Sequence, residues 1–149
     1  MKEKVMVLPG TEAQVALIKK LQQIGYEVLC VDPNENAPGL KVADCYEHAD
    51  ILDVERCLAI AKNNHVQAVL SDECDIAMPT IAHINREIGA RSIGDDLAQL
   101  YTNKYLMRDF SSKIGLPCPK YKECNSLDEA ITFFEECGKK KDDHKTTEQ

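Results

Sequence analysis

Lys4-Val5-Met6-Val7-Leu8-Pro9-Gly10-Thr11-Glu12-Ala13-Gln14 decides the fold. A short apolar run stopped by Pro9-Gly10 reads as a strand buried on both faces. Thr11 and Gln14 have capping-box spacing, so a helix is expected to start there, with Gln14 reaching back to the cap. Val15, Ile18 and Leu21 follow at helical intervals, and Gly25 ends the helix. Glu27-Val28-Leu29-Cys30-Val31 is a second buried strand. A strand, helix and strand of this length require a right-handed crossover and parallel pairing.

The pattern repeats outward from this unit. Asp32 to Gly39 is a loop by composition. Tyr46 to Ala49 is a short strand. Asp53 caps a helix over Val54–Asn63, and Val66–Leu70 is a third good strand. Ile76–Ile88 is a helix closed by Gly89, and Arg91-Ser92-Ile93 a last short strand. Such alternation gives an open, doubly wound α/β sheet of Rossmann-like type. A short helix over Asp95–Leu100 follows, then a longer one over Asn103–Ile114 capped by Thr102. Pro117 and Pro119 keep the next segment extended. Ser126-Leu127-Asp128-Glu129 is a second capping box, opening a helix through Cys137 with an apolar stripe of Ala130, Ile131, Phe134 and Cys137. Residues 139–149 carry no apolar side chain and are expected to be disordered.

Composition excludes several classes. The 149 residues allow one domain, or one domain plus part of another. A net charge of -7 argues against nucleic acid as a partner. No apolar run approaches the roughly 20 residues needed to span a bilayer, so no membrane partner is expected. Seven cysteines, an odd number, with no signal-peptide pattern, imply reduced thiols in a cytoplasm. Cys30, Cys45 and Cys57 fall on apolar faces, where cysteine acts as a small hydrophobe. No spacing of Cys and His makes a metal set.

In an open parallel sheet, ligands bind beyond the carboxyl ends of the strands. Three loops meet there, supplying Gly10, Thr11 and Glu12, then Asp32, then Asp72, Glu73 and Asp75. These are the candidate substrate-binding residues. The first loop lacks the three glycines of a dinucleotide fingerprint, and Glu12 opposes a pyrophosphate. Asp32 lies about twenty residues past Gly10, the place of a ribose-binding acid, but a solvated acid closing a strand accounts for it better, since the fingerprint itself fails. Asp72, Glu73 and Asp75 complement the positive end of the following helix, and they can also contact an amine or hydroxyl of a small substrate. Lys104, near a helix start, gains nothing from the helix dipole, and Arg108 shares its face one turn later. Both can meet a nucleotide phosphate.

Val5-Met6-Val7-Leu8-Pro9-Gly10, Gly25 through Asn34, Ala43-Asp44, and Asn103 through Arg108 with Gly115-Leu116-Pro117 together resemble the N-terminal part of ATP-grasp enzymes. That group contains biotin carboxylase, carbamoyl phosphate synthetase and phosphoribosyl-glycinamide-type ligases. The resemblance implies a Rossmann-like pre-ATP-grasp domain over residues 1–95, the beginning of an ATP-grasp domain over 96–138, and a charged tail over 139–149. It implies the substrate side of an ATP-dependent carboxylate–amine or carboxylate–thiol ligase, carbamoyl phosphate synthetase-like, with Lys104 contacting the nucleotide. ATP and magnesium would serve the complete enzyme. The family continues past such a helix with a second nucleotide lysine, a glycine-rich loop and metal-binding acids, where this chain reads Gly138-Lys139-Lys140-Lys141-Asp142. The expectation is therefore a truncated ATP-grasp domain that binds ATP weakly and does not catalyse alone. The missing part acting in trans, a small carboxylate or amine substrate, and self-association are the expected partners. The alternative is a free-standing Rossmann-like module that binds a small metabolite or a protein without chemistry.

Overall fold

The computed structural model describes residues 2–138. It contains two compact units that divide between Thr102 and Asn103.

The first unit is a parallel sheet of β1 (Lys4–Val7), β2 (Glu27–Val31), β3 (Cys45–Glu47) and β4 (Val69–Leu70), in the order β3-β2-β1-β4. Register runs from Lys4 opposite Glu27 to Val7 opposite Cys30. Side chains alternate across the pleat as a period of two demands. Val5, Val7, Val28 and Cys30 point to one layer, under α1 (Glu12–Gln23) and α2 (Pro38–Val42), where Ile18, Leu21 and Leu40 cover them. Met6, Leu8, Leu29 and Val31 point to the other, where α3 (Val54–Asn63) and α4 (Met78–Glu87) supply Cys57, Leu58, Ile60, Ile81 and Ile84. Both faces are thus covered, which explains the unbroken apolar runs of β1 and β2.

Several local expectations change. α2 begins in the last two residues of the segment read as a loop, entered through Pro38, whose missing N–H costs a helix start nothing. Of Val66–Leu70, only Val69 and Leu70 form a strand, although Gln67 N–H donates to Lys4 O and Met6 N–H to Ala68 O. A 3-10 turn over Asp75–Ala77 precedes α4, and Gly89 closes that helix with φ +75°. Arg91–Ile93 forms no strand. The reason is Asn85, which is 6% exposed. Val69 N–H donates to its Oδ1 at 2.7 Å, and its Nδ2 donates to Val69 O at 2.9 Å. One side-chain amide thus takes the place of a neighbouring strand along the open edge of β4. Helix α5 (Asp95–Thr102) packs on α4, so the first unit extends past the expected boundary at residue 95.

The second unit holds α6 (Lys104–Lys113), an extended stretch and α7 (Leu127–Gly138). Asn103, not Thr102, caps α6: its Oδ1 accepts from the N–H groups of Tyr105 and Leu106. Thr102 instead turns back to the carbonyl of Ala98. The second capping box forms in shifted fashion. Ser126 Oγ accepts from Glu129 N–H, while Glu129 reaches Asn125 N–H. None of residues 103–138 is buried. The expected stripe on α7 is in the open, with Phe134 76% exposed. Two short helices cannot enclose a core. The expected disorder of residues 139–149 lies outside the described residues.

Candidate functional site

The connection from β1 leads to β2 on one side, and β4 lies on the other, so the strand order reverses between β1 and β4. A ligand crevice belongs there. Its two banks are the loop after β1, with Gly10, Thr11 and Glu12, and the loop after β4, with Asp72, Glu73 and Asp75.

Gln14 ties the banks together. It is wholly buried, although sequence spacing assigned it to a helix cap. Its Oε1 accepts from Asp72 N–H at 2.8 Å, and its Nε2 donates to Asp72 O. Thr11 makes no side-chain cap bond. The capping-box reading is thereby corrected: the amide spans between strands instead of folding back on its own helix. The signal was present, since Gln14 shares the buried phase of α1 with Ile18 and Leu21. Asn85 shares the buried phase of α4 in the same way. A long amide in an apolar stripe must find partners, and backbone edges supply them.

Asp32 also departs from its expected role. It is 5% exposed and faces inward. Gly10 N–H donates to its Oδ2 at 2.8 Å and Asn34 N–H to its Oδ1 at 2.7 Å. Both carboxylate oxygens are engaged in joining the first two loops, so Asp32 acts as a strut between them. Gly10 is explained by packing. A methyl there would lie 3.1 Å from Cys30 Sγ and 3.2 Å from Asp32 Cβ. Gly39 N–H reaches Gly10 O at 2.7 Å, an approach that a side chain at Gly39 would block. Burial, with Asp32 nearby, pushes the Cys30 thiol up to about 12, so it stays a neutral core group.

The remaining candidates in the first unit are exposed: Thr11 and Glu12 on one bank, Asp72, Glu73 and Asp75 on the other. Glu73 adopts φ +52°, turning the β4 loop sharply. Four of these five side chains are carboxylates. Their field attracts an ammonium or hydroxyl donor and repels phosphate. Among the described residues, no three His, Cys, Asp or Glu side chains are grouped to hold a metal ion.

Lys104 and Arg108 lie in the second unit, one turn apart on α6. Lys104 is exposed and Arg108 half-buried. Two cations on one helix face can meet a phosphate, but they form no cradle for a nucleotide. No helix among the described residues is long and apolar enough to cross a membrane.

No protein-family model matches the chain. A curated relative, formate-dependent phosphoribosylglycinamide formyltransferase of Cupriavidus pinatubonensis, is 30% identical over 134 residues, covering 89% of this chain and 33% of that protein. Among solved structures, N5-carboxyaminoimidazole ribonucleotide synthetase from Thermotoga maritima superposes with TM-score 0.66 at 23% identity, over 90% of this chain and 36% of that one. Glycinamide-RNase-transformylase T from Mycobacterium tuberculosis gives TM-score 0.71 at 20% identity, over 87% and 38%. The chain thus spans about a third of the length of the curated relatives it matches. In fold and in sequence it is similar to the N-terminal part of the ATP-grasp superfamily.

Proposed function

We propose that this chain is the substrate-side portion of an ATP-dependent carboxylate–amine ligase, and that its crevice holds the amine. The observation that carries the reading is the acidic crevice at the strand-order reversal. Glu12 stands on one bank, Asp72, Glu73 and Asp75 on the other, and the Gln14 amide holds the banks together. An amine is the chemistry such a cluster favours, and the relatives' name supplies a glycinamide as an example. Relatives of that name also favour a formyltransferase-like ligase over the carbamoyl phosphate synthetase-like kind.

Lys104 and Arg108 serve the nucleotide phosphates, and Mg-ATP supplies acyl activation in the complete ligase. These residues alone do not stabilise phosphoryl-transfer charge, which dominates such catalysis. The chain is therefore not catalytic alone, and a further ATP-grasp portion, joined or in trans, completes the site.

The test is calorimetric titration of the full chain with glycinamide, N-acetylglycinamide and MgATP. Glycinamide binds, the acetylated compound does not, and Glu12→Gln with Asp72→Asn weakens glycinamide binding about tenfold, the loss of roughly one charged contact. MgATP binds no tighter than about 1 mM. Equal binding of the acetylated compound refutes the amine assignment, and micromolar MgATP affinity refutes the division of labour.

A further inference from the structure

The second unit leaves two apolar ridges open. Leu106 and Phe110 on α6, with Ile114 at its C-terminal cap, recur at every fourth position and line up along one side. The extended stretch lies against the opposite side of that helix, where Tyr121 meets Tyr105 edge-on with ring centroids 5.6 Å apart. On α7, Leu127, Ile131 and Phe134 form the second ridge. Exposure of the six side chains runs from 37% at Leu106 to 76% at Phe134. At about 200 Å² for a large side chain, they leave roughly 700 Å² of apolar surface open, close to the ~800 Å² that each partner gives a standard interface.

The two helices carry opposite charge. α6 holds Lys104, Arg108 and Lys113 against one acid, Asp109, whereas α7 holds Asp128, Glu129, Glu135 and Glu136 and no cation. By helical phase, Lys113 borders the α6 ridge, and Asp128 and Glu135 border the α7 ridge, two turns apart along one side. Lys113 leans on Asp109 at 2.7 Å, yet its side chain is 72% exposed.

We propose that α6 of one copy of this chain seats on α7 of a second copy, and α7 on α6 in return, in a two-fold dimer. A two-fold contact is self-complementary, and the two ridges match in length, about 11 Å each at 1.5 Å per residue. The charges select the crossed pairing. α6 on α6 would set Lys113 against its own copy, and α7 on α7 would gather the carboxylates of both helices, an arrangement that opposes association. Crossed pairing brings Lys113 to Asp128 or to Glu135, whichever way the helices run. A partner of other chemistry would cover the apolar ridges but leave the opposite charges of the two helices unexplained.

The experiment is sedimentation equilibrium of the full chain from about 5 to about 500 μM, at low and moderate salt. Neither nucleotide nor amine is present, so the outcome is independent of the ligase reading. The expected result is a reversible dimer with Kd on the order of 10 μM, weakening as salt rises. Phe134→Ser, at the most exposed of the six side chains, weakens it at least tenfold and leaves the far-ultraviolet circular dichroism unchanged. Lys113→Glu weakens it about fivefold, and adding Asp128→Lys and Glu135→Lys to that variant restores the original affinity. Those two lysines fall at opposite ends of α7, so their effects on the helix dipole offset each other. A monomer at every concentration assigns the ridges to a segment outside this chain and overturns the proposal. So does an unchanged dimer in Phe134→Ser or Lys113→Glu, a triple variant no tighter than Lys113→Glu, or open-ended growth with concentration.

Discussion

Replacing Gln14 by leucine tests the strut that holds the crevice. Leucine fits a buried helical position beside Ile18 and Leu21, so the cost isolates the amide. Two hydrogen bonds to Asp72 are lost, each worth about 1 kcal/mol net. Asp72 N–H and C=O, part-buried, are left without that partner, which adds about 1 kcal/mol in total. The expected loss is about 3 kcal/mol. With a urea m-value of about 2 kcal/mol/M, the unfolding midpoint falls by about 1.5 M. Thr11→Ala is the decisive comparison. A capping box would make that change cost about 1 kcal/mol and leave Gln14→Leu nearly neutral. The structure reverses the order, because Thr11 caps nothing with its side chain: its loss should stay under about 0.5 kcal/mol. Urea unfolding followed by far-ultraviolet circular dichroism reads both variants. If Thr11→Ala costs as much as Gln14→Leu, the strut assignment is wrong.

Asn85→Asp should cost about 3 kcal/mol at neutral pH, because a carboxylate cannot donate to Val69 O and sits buried against it. Part of the loss should return near pH 4, where a protonated carboxyl can donate again, and the urea midpoint at the two pH values checks this. Asp44 gives the opposite dependence. Burial alone would raise its carboxyl, but the N–H of Val28 and the amide of Gln22 hold it below the usual range. A lowered folded value means stability that is present above the unfolded value near pH 4 and lost as pH falls through the folded one. The stability gap between the natural chain and Asp44→Asn should therefore be widest at neutral pH and close in acid. A gap that widens below pH 4 would contradict the assignment.

The doubly wound sheet was legible in the chain because its strands are buried on both faces. Val5 through Leu8 and Val28 through Val31 have no polar residue to place in solvent, and the helical stripes between them differ in period. The loops expected at the carboxyl ends of the strands do gather there, for the same topological reason. The second unit's helices were legible too, but not that their apolar faces would stay open, since burial depends on what lies opposite.

Local sequence determined the apolar runs, the helix stops at Gly25 and Gly89, and the Asp53 cap, each set by a few neighbouring residues. Tertiary structure alone decided the long-range polar partners. Gln14 reaches Asp72 across 58 positions, Asp32 meets Gly10 across 22, and Asn85 meets Val69 across 16. Spacing rules describe bonds within one turn of helix or one hairpin. A buried amide or carboxylate must be satisfied by whatever backbone the fold brings to it, and that backbone arrives from elsewhere in the chain.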